Sequence, residues 1–187
     1  AFKAVNSKPI ARVNYKKQIV EFIVHDHKKT NKDLKLKVKL LKDNLKIGIL
    51  KAHPNMNASE LKAYSSFNGL IIEGTGLGHL PINKIDKETT EHEKIMKEIS
   101  KLAKKMPVVM TTQTIFGRVN MNVYSTGRKL TEAGVLGNFS DMTTETAFVK
   151  LAYLLSNYKN KEEVKKLMNE SLHGEISKRI MGEEEFI

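Results

Sequence analysis

The chain has 187 residues, of which 40% are hydrophobic, so it is long enough for one domain of ordinary size with an additional segment. It contains no cysteine, which excludes disulfides, thiolate metal sites and a cysteine nucleophile, and it has no run long enough for a membrane span or a signal peptide. We therefore expect a cytoplasmic protein without a membrane partner, whose net charge of +11 reflects either an acidic or nucleic-acid partner or a lysine-rich proteome.

The first predicted element is a β-hairpin. Two short apolar runs, residues 10–13 and 19–24, are joined by the polar turn 14–17. The next stretch, residues 28–46, carries eight lysines against two aspartates. Within it four apolar residues alternate with lysines: Leu34, Leu36, Val38 and Leu40. This period of two favours an edge strand with a lysine-protected face over the alternative, an RNA-binding stripe.

After residue 46, short apolar runs alternate with helical patterns. The runs at 47–50, 70–72 and 108–110 are too short for helices, and each is followed by a polar or glycine-rich loop. Four helices are predicted: from Asn57 to about residue 67, from Thr90 to before Pro107, around 147–155, and from about 161 to 172. Asn57 with Glu60 is predicted to cap the first, and Thr90 with Glu93 to form a capping box at the second. We therefore predict an α/β fold, a small parallel sheet flanked by helices and preceded by a β-hairpin.

Three loops are predicted at the carboxyl ends of the strands, where α/β sheets bind ligands: 51–57, 74–81 and 111–128. The alternate glycines of residues 74–79 resemble a phosphate cradle, but the dinucleotide fingerprint needs glycine where His79 stands. Loop 111–128 is rich in amide, hydroxyl and guanidinium groups, which suits a small polar ligand whose carboxylate Arg118 or Arg128 would bind. The alternative is a loop that stabilises itself or a subunit contact.

The histidines and serines give no catalytic motif. His25 and His27 have strand spacing and would share a face, but no third ligand is evident, so we predict no metal site. His53 and His79 lie in the loops at the predicted ligand edge and are the better candidates for ligand contact. No Gly-x-Ser-x-Gly elbow occurs, so the sequence predicts a binding edge without a nucleophile.

Three segments together resemble a known family. Gly-Thr-Gly-Leu-Gly-His at 74–79, Gly-Arg-Val-Asn-Met-Asn-Val-Tyr-Ser-Thr-Gly-Arg at 117–128 and Asp-Met-Thr-Thr-Glu-Thr-Ala at 141–147 are similar to the C-terminal domain of bacterial-type asparaginases. The Gly78-His79 pair, the run from Asn122 to Arg128 and the tail Gly-Glu-Ile at 174–176 are typical of the D subunits of archaeal tRNA-dependent amidotransferases. Residues 1–10 look like the end of that family's N-terminal domain.

The resemblance implies a domain division and a missing catalytic half. Residues 1–27 would end the asparaginase N-terminal domain, 28–45 would be a lysine-rich linker or edge strand, and 46–187 would be the C-terminal domain. The family's threonine nucleophiles, its Thr-Asp pair and its lysine lie in the N-terminal domain, and no threonine here precedes an aspartate. We therefore expect no catalytic residue in this chain and no activity from it alone. Ala1 at its start fits either a removed initiator or a longer protein.

The resemblance also implies partners and cofactors. In this family the D subunit hydrolyses glutamine, and the ammonia passes to the E subunit, which amidates Glu-tRNA(Gln) using ATP and magnesium. We thus expect no cofactor on this chain, ATP and Mg²⁺ at the partner E subunit, and only indirect contact with tRNA. The alternatives are a stand-alone L-asparaginase C-terminal domain, with asparagine rather than glutamine as substrate, and a basic RNA-binding module.

Site residues follow from the same resemblance. In asparaginases the C-terminal domain of one protomer completes the active site of its neighbour in an intimate homodimer. His79 falls where asparaginases commonly have a site asparagine, and Tyr124 where many have a glutamate that contacts the substrate amine. We therefore predict His79, Asn122 and Tyr124 as substrate-binding residues, and Gln113 and Arg118 with less support.

Overall fold

The protein is described here from a computed structural model that covers residues 4–25, 33 and 35–179. The chain divides into two compact units, Ala1–Val38 with Ser177–Ile187, and Lys39–Ile176. In the described part of the chain, none of the helices is long and apolar enough to cross a membrane.

The first unit contains the predicted hairpin. Strands β1 (Ala11–Asn14) and β2 (Ile19–Phe22) pair antiparallel, with Ala11 opposite Phe22. The amide of Lys17 donates to Oδ1 of Asn14 at 3.1 Å, which closes the turn. The large apolar side chains of the hairpin and its ends are exposed to solvent: Ile10, Val13, Ile19, Val20, Phe22 and Ile23. The hairpin therefore has no apolar core of its own, as is usual for two strands alone.

The predicted edge strand is wrong where the structure describes it. Residues 35–40 form no strand. Leu36 is 89% exposed and Val38 is 70% exposed, so the alternation of apolar and charged residues does not correspond to a buried and a wet face. A period of two predicts a strand only if a neighbouring strand accepts its hydrogen bonds, and no described strand does so. Residues 26–32 and 34, which include His27 and much of the predicted boundary at 28–45, lie outside the described residues.

The second unit is built on a parallel sheet. Strands β3 (Ile47–Lys51), β4 (Gly69–Gly74) and β5 (Val108–Thr112) lie in the order β3-β4-β5, all parallel. Leu136 adds a short parallel bridge beyond β5, because its amide donates to the carbonyl of Val108 and its carbonyl accepts from Met110, both at 2.8 Å. The predicted small parallel sheet is confirmed.

Helices cover both faces of this sheet. They are α1 (Ala58–Lys62), α2 (Thr90–Lys105), α3 (Ser125–Glu132), α4 (Thr144–Asn157) and α5 (Lys161–Met168). Successive residues of β4 point to opposite faces, so Leu70 and Ile72 join the core that includes residues of α1, α2 and α3. Ile71 joins a second core with residues of α4 and α5. The three carboxyl ends of the strands therefore meet at one edge, between two helical layers.

The ends of the helices show which sequence signals predicted a helix boundary correctly. Asn57 caps α1 as predicted, since its side chain accepts from the amide of Ser59 while Glu60 accepts from the amide of Asn57 at 2.8 Å. The predicted capping box at Thr90 is wrong, because α2 begins after Thr89, which makes no side-chain cap hydrogen bond. Helix α5 ends at Met168 rather than near 172. Helix α3 begins inside the predicted loop 111–128, extends to Glu132 and was not predicted at all.

Candidate functional site

The turn after β4 carries His79. The carbonyl of Thr75 accepts from the amides of Gly78 and His79, both at 3.0 Å, and the amide of Thr75 donates to the carbonyl of His79. Gly76 and Gly78 have φ values of 50° and 96°, which only glycine adopts without strain. Because the amides of Gly78 and His79 are used inside the turn, they are not offered to a phosphate, and the geometry gives no support to a nucleotide cradle.

The side chain of His79 has one partnered and one unpartnered nitrogen. Its Nδ1 lies 3.0 Å from Oγ1 of Thr126, in the first turn of α3. Its Nε2 is buried and has no hydrogen-bond partner among the described residues. The ring of Tyr124 stands edge-on to the imidazole, with centroids 5.2 Å apart. Burial lowers the pKa of His79, which favours the neutral imidazole.

The backbone before α3 brings Tyr124 and Thr126 to this point. The amide of Asn120 donates to the carbonyl of Leu77 at 2.9 Å, which fastens the segment to the turn that carries His79. A Cβ atom on Gly127 would lie 2.3 Å from the carbonyl oxygen of Met121, so only glycine lets the helix fold back this closely. These two contacts place a helix start against a loop from another strand end.

Asn122 and Arg128 organise the loop itself. Oδ1 of Asn122 accepts from Nδ2 of Asn138 at 3.0 Å. Nη1 of Arg128 donates to the carbonyls of Asn122 and Val123 at 2.9 and 3.1 Å. These contacts of Arg128 stabilise the loop, which is the alternative that its sequence left open. Asn122 lies two residues before Tyr124, at the same end of the loop.

Gln113 and Arg118 occupy other positions. Nε2 of Gln113 donates to the carbonyls of Ala52 and Glu73, at 2.6 and 3.1 Å, and so ties the ends of β3 and β4 together. Arg118 is half-buried in the loop between β5 and α3. The structure thus brings His79 and Tyr124 into direct contact, whereas Gln113 is engaged in a different set of hydrogen bonds. The roles of all five residues in substrate binding stay predictions.

A second polar cluster, which the sequence did not indicate, lies at the same strand ends. Nζ of Lys51 is 3.1 Å from one carboxylate oxygen of Glu73, and the hydroxyl of Thr144 donates to the other at 3.2 Å. Oγ1 of Thr111 lies 2.9 Å from Oγ1 of Thr144. We call Lys51, Glu73, Thr111 and Thr144 the paired cluster. It joins the ends of all three strands to the start of α4.

The other two described histidine candidates, His53 and His25, do not form a binding site. Nε2 of His53 lies 2.9 Å from Oε2 of Glu60, and this hydrogen bond, with one from the amide of Asn57, lowers the pKa of Glu60. His53 thus supports the cap of α1. In the part of the chain that the structure describes, no group of three side chains is arranged to hold a metal ion, and His25 is exposed.

A groove of about 520 Å³ lies beside α4, and an ion pair forms part of its wall. Nζ of the buried Lys150 is 2.7 Å from Oε1 of Glu175. Oε1 and Oε2 of Glu175 also accept from the amides of Leu172 and His173, at 3.0 and 2.7 Å. Burial alone would raise the pKa of Glu175, but these hydrogen bonds outweigh it and lower the pKa to about 2. The same bonds hold the segment after α5 in a turn, where a longer helix was predicted.

Comparison with known proteins shows which family this chain is similar to. Residues 46–168 match the glutaminase/asparaginase C-terminal domain. The glutamyl-tRNA(Gln) amidotransferase D subunit of Methanococcus maripaludis strain C6 is 42% identical over 184 residues, 96% of this chain and 41% of that protein. The corresponding D subunit of Pyrococcus abyssi is 36% identical over 183 residues, 95% of this chain and 38% of that protein. The chain thus spans about 40% of the length of these curated relatives.

Solved structures agree with the sequence matches. The thermostable L-asparaginase from Thermococcus kodakarensis has a TM-score of 0.77 and 28% identity, over 96% of this chain and 50% of that one. L-asparaginase I from Vibrio cholerae has a TM-score of 0.77 and 27% identity, over 95% of this chain and 50% of that one. These matches confirm the predicted resemblance to asparaginases and to amidotransferase D subunits. The chain belongs to the glutaminase/asparaginase C-terminal domain family.

Proposed function

We propose that this chain is part of the glutamine-hydrolysing, ammonia-generating D subunit of a tRNA-dependent amidotransferase that converts Glu-tRNA(Gln) to Gln-tRNA(Gln). Within that protein it forms the homodimer and completes the amidohydrolase site of the neighbouring protomer. The observation that carries the proposal is the buried, unpartnered Nε2 of His79 beside Tyr124 at the ligand edge of the sheet, among the residues that the structure describes. The names of the two amidotransferase relatives support the reaction.

The geometry favours binding over chemistry. The hydroxyl of Thr126 lies beside the imidazole of His79. A hydroxyl hydrogen-bonded to a histidine is also the arrangement that activates a nucleophile. In a nucleophilic triad, however, a third group orients the base, and the other nitrogen of His79 has no partner among the described residues. Burial also lowers the pKa of His79 and weakens it as a base. The nucleophile of the proposed reaction would come from the family's N-terminal domain, so this chain alone is expected to be inactive.

The partners in the proposal follow from the same resemblance. Glutamine would be the small-molecule substrate, and the ammonia would pass to the amidotransferase E subunit, where ATP and Mg²⁺ are expected. Contact with tRNA would be indirect. A stand-alone L-asparaginase is the related alternative, and the ratio of kcat/KM for glutamine to that for asparagine distinguishes the two.

The test uses this chain joined to the family's N-terminal domain in one full-length protein. We expect glutaminase activity from the joined protein, none from the 187-residue chain, and a loss of about tenfold or more in kcat/KM for His79→Ala and for Tyr124→Ala. Tyr15→Ala, an 85% exposed tyrosine of the hairpin, is the matched control and should not change activity. Undiminished turnover in both site variants would remove the site assignment, and a joined protein that hydrolyses neither amide would remove the function.

A second candidate, an RNA-binding module, rests on exposed lysines. Lys35 and Lys37 are exposed, whereas Nζ of Lys39 lies over the rings of Tyr153 and Tyr158, at 5.6 and 5.2 Å from their centroids. If the chain is an RNA-binding module, its tRNA binding should weaken steeply as the salt concentration rises. The slope of log binding constant against log salt concentration should fall in magnitude by about one for each phosphate contact removed.

The test of this candidate reverses the two exposed charges together. Lys35→Glu with Lys37→Glu should abolish tRNA binding, whereas Lys62→Glu with Lys159→Glu, which changes the net charge equally at two other exposed lysines, should retain it. Equal effects of the two double variants, or binding insensitive to salt, would exclude the module.

A further inference from the structure

The two ring nitrogens of His79 have different environments, and this difference determines what the residue can bind. Nδ1 is 3.0 Å from the hydroxyl of Thr126, whereas Nε2 is buried without a partner in the described residues. A buried nitrogen that lacks a hydrogen bond costs free energy, and a ligand that bonds to it would recover that cost. A neutral imidazole donates from one nitrogen and accepts at the other, and the tautomer decides which group Nε2 recognises.

The position of Thr126 favours one tautomer of His79. Thr126 is the second residue of α3, and the free amides of a helix start carry partial positive charge. A proton on Nδ1 would point at that positive end, whereas a lone pair on Nδ1 is stabilised by it. The hydroxyl of Thr126 has no other hydrogen-bond partner among the described residues, so it is free to donate to Nδ1. If Thr126 donates to Nδ1, the proton of the neutral His79 resides on Nε2.

Resting on the proposed function, we propose that Thr126 is a positioning residue that holds His79 as the Nε2–H tautomer, so that this subsite donates a hydrogen bond to a substrate oxygen. The oxygen would belong to a carboxylate or to an amide carbonyl of the amino-acid amide. The subsite would not accept a hydrogen bond from the substrate amine, because Nε2 has no lone pair to offer in this tautomer. Thr126 and Tyr124, whose side chains contact His79, carry no negative charge to attract an ammonium group.

The tautomer is measured directly on the 187-residue chain. Long-range ¹H–¹⁵N spectra distinguish the two neutral forms, and His79→Asn identifies the signals of this histidine. We expect the Nε2–H form in the unsubstituted chain and in Thr126→Ser, and a mixture of forms in Thr126→Val, which keeps the shape but lacks the hydroxyl. Thr131→Val is the matched control, since Thr131 lies in α3 but bonds the carbonyl of Gly127. An Nδ1–H form in the unsubstituted chain, or an unchanged spectrum in Thr126→Val, would overturn the proposal.

Kinetics of the joined full-length protein test the consequence for the substrate. We expect Thr126→Val to raise KM for glutamine about tenfold with kcat changed less than about twofold, and Thr126→Ser to restore KM. If Thr126 were instead a nucleophile, kcat would collapse in the valine variant while KM changed little, and this result would contradict the positioning role. Thermal unfolding of each variant shows whether the fold is retained.

Glutaramate, which is glutamine without its α-amine, identifies the group that the subsite recognises. If His79 donates to an oxygen, Thr126→Val should weaken inhibition by glutaramate by the same factor as it raises KM. Unchanged inhibition would mean that the subsite serves the amine and would overturn the proposal. The tautomer measurement needs no activity, so a joined protein that hydrolyses neither amide would remove the proposed function while the spectra still decide the role of Thr126.

Discussion

Two polar clusters lie near the carboxyl edge of the sheet, and they differ in how their polar atoms are partnered. In the paired cluster both carboxylate oxygens of Glu73 have partners, Lys51 and Thr144, and Thr144 is in turn hydrogen-bonded to Thr111. In the other, which we call the open cluster and which consists of His79, Tyr124 and Thr126, the buried Nε2 of His79 has none in the described residues.

The difference teaches that burial and polarity alone do not identify a site. A buried polar group stabilises the fold when its hydrogen bonds are complete, and costs stability when they are not. The paired cluster is therefore interpreted as a structural joint between strand ends, and the open cluster as the place where a ligand completes the hydrogen bonding. Four experiments, by substitution or titration, test this distinction between a structural cluster and a ligand-binding one.

The largest effect is expected at the turn that positions the open cluster. A Cβ atom on Gly78 would lie 2.8 Å from Cγ1 of Val119 and 2.9 Å from Cγ of Met110, at a φ of 96°. Gly78→Ala should lower the free energy of unfolding by about 4 kcal/mol, the sum of a left-handed conformation and overpacking. Gly76→Ala, at a φ of 50° with no atom within 4 Å, should cost only about 1 kcal/mol. Equal losses in urea unfolding would show that close packing against Val119 and Met110 does not constrain the turn at Gly78.

The second largest effect on the free energy of unfolding is expected at Glu175, whose two carboxylate oxygens both accept hydrogen bonds. The pKa of Glu175 is lowered from 4.5 to about 2, so its contribution is fully present above pH 4.5 and is lost as the pH falls towards 2. The contribution is on the order of 3 kcal/mol. Urea unfolding between about pH 2 and 7 should therefore show a stability difference between the unsubstituted protein and Glu175→Gln that shrinks below about pH 4.5. A difference independent of pH would contradict this.

In the paired cluster, Glu73→Ala should lower the free energy of unfolding by about 2 kcal/mol. The substitution removes the carboxylate acceptor of the buried Thr144 hydroxyl, whose remaining partner is the hydroxyl of Thr111. Glu162→Ala is the control, because Glu162 is 76% exposed and pairs with Lys165 on the helix surface, and it should change stability by less than about 0.5 kcal/mol. If both glutamates cost the same in chemical unfolding, the paired cluster is not a structural joint.

The smallest effect on stability is expected in the open cluster. His79→Asn should change the free energy of unfolding by less than about 1 kcal/mol, because it removes one hydrogen bond to Thr126 together with an unsatisfied buried nitrogen. Thermal and urea unfolding of the chain measure this. A loss as large as that of Glu73→Ala would mean that the open cluster, too, is structural.

Sequence alone was sufficient for the sheet because the signals of its strands are local. The apolar runs at 47–50, 70–72 and 108–110 are bounded by breakers, and each became a strand. The alternation at 34–40 predicted a strand, but the described residues 35–40 form none, because a strand also needs a neighbour, which no local pattern specifies. Helix α3 was missed because it contains Gly127 among hydroxyl residues, and glycine is needed there because the backbone of Met121 approaches so closely.

The site was predictable only in part for a similar reason. The resemblance nominated His79 and Tyr124, and the structure brings their rings together. It did not nominate Thr126, whose partner His79 lies 47 residues earlier, or Glu73, whose partner Thr144 lies 71 residues later. Contacts of this range depend on which strand ends become neighbours, and that is a property of the sheet order rather than of any motif.

The turn of residues 74–79 has a consequence for how this family diverges. Its main chain is closed by hydrogen bonds between Thr75 and His79 that involve no side chain of residue 79. The side chain at position 79 can therefore be exchanged without rebuilding the loop. A change confined to one position would then alter the chemistry at the carboxyl edge of the sheet, while the main chain of the turn stays the same.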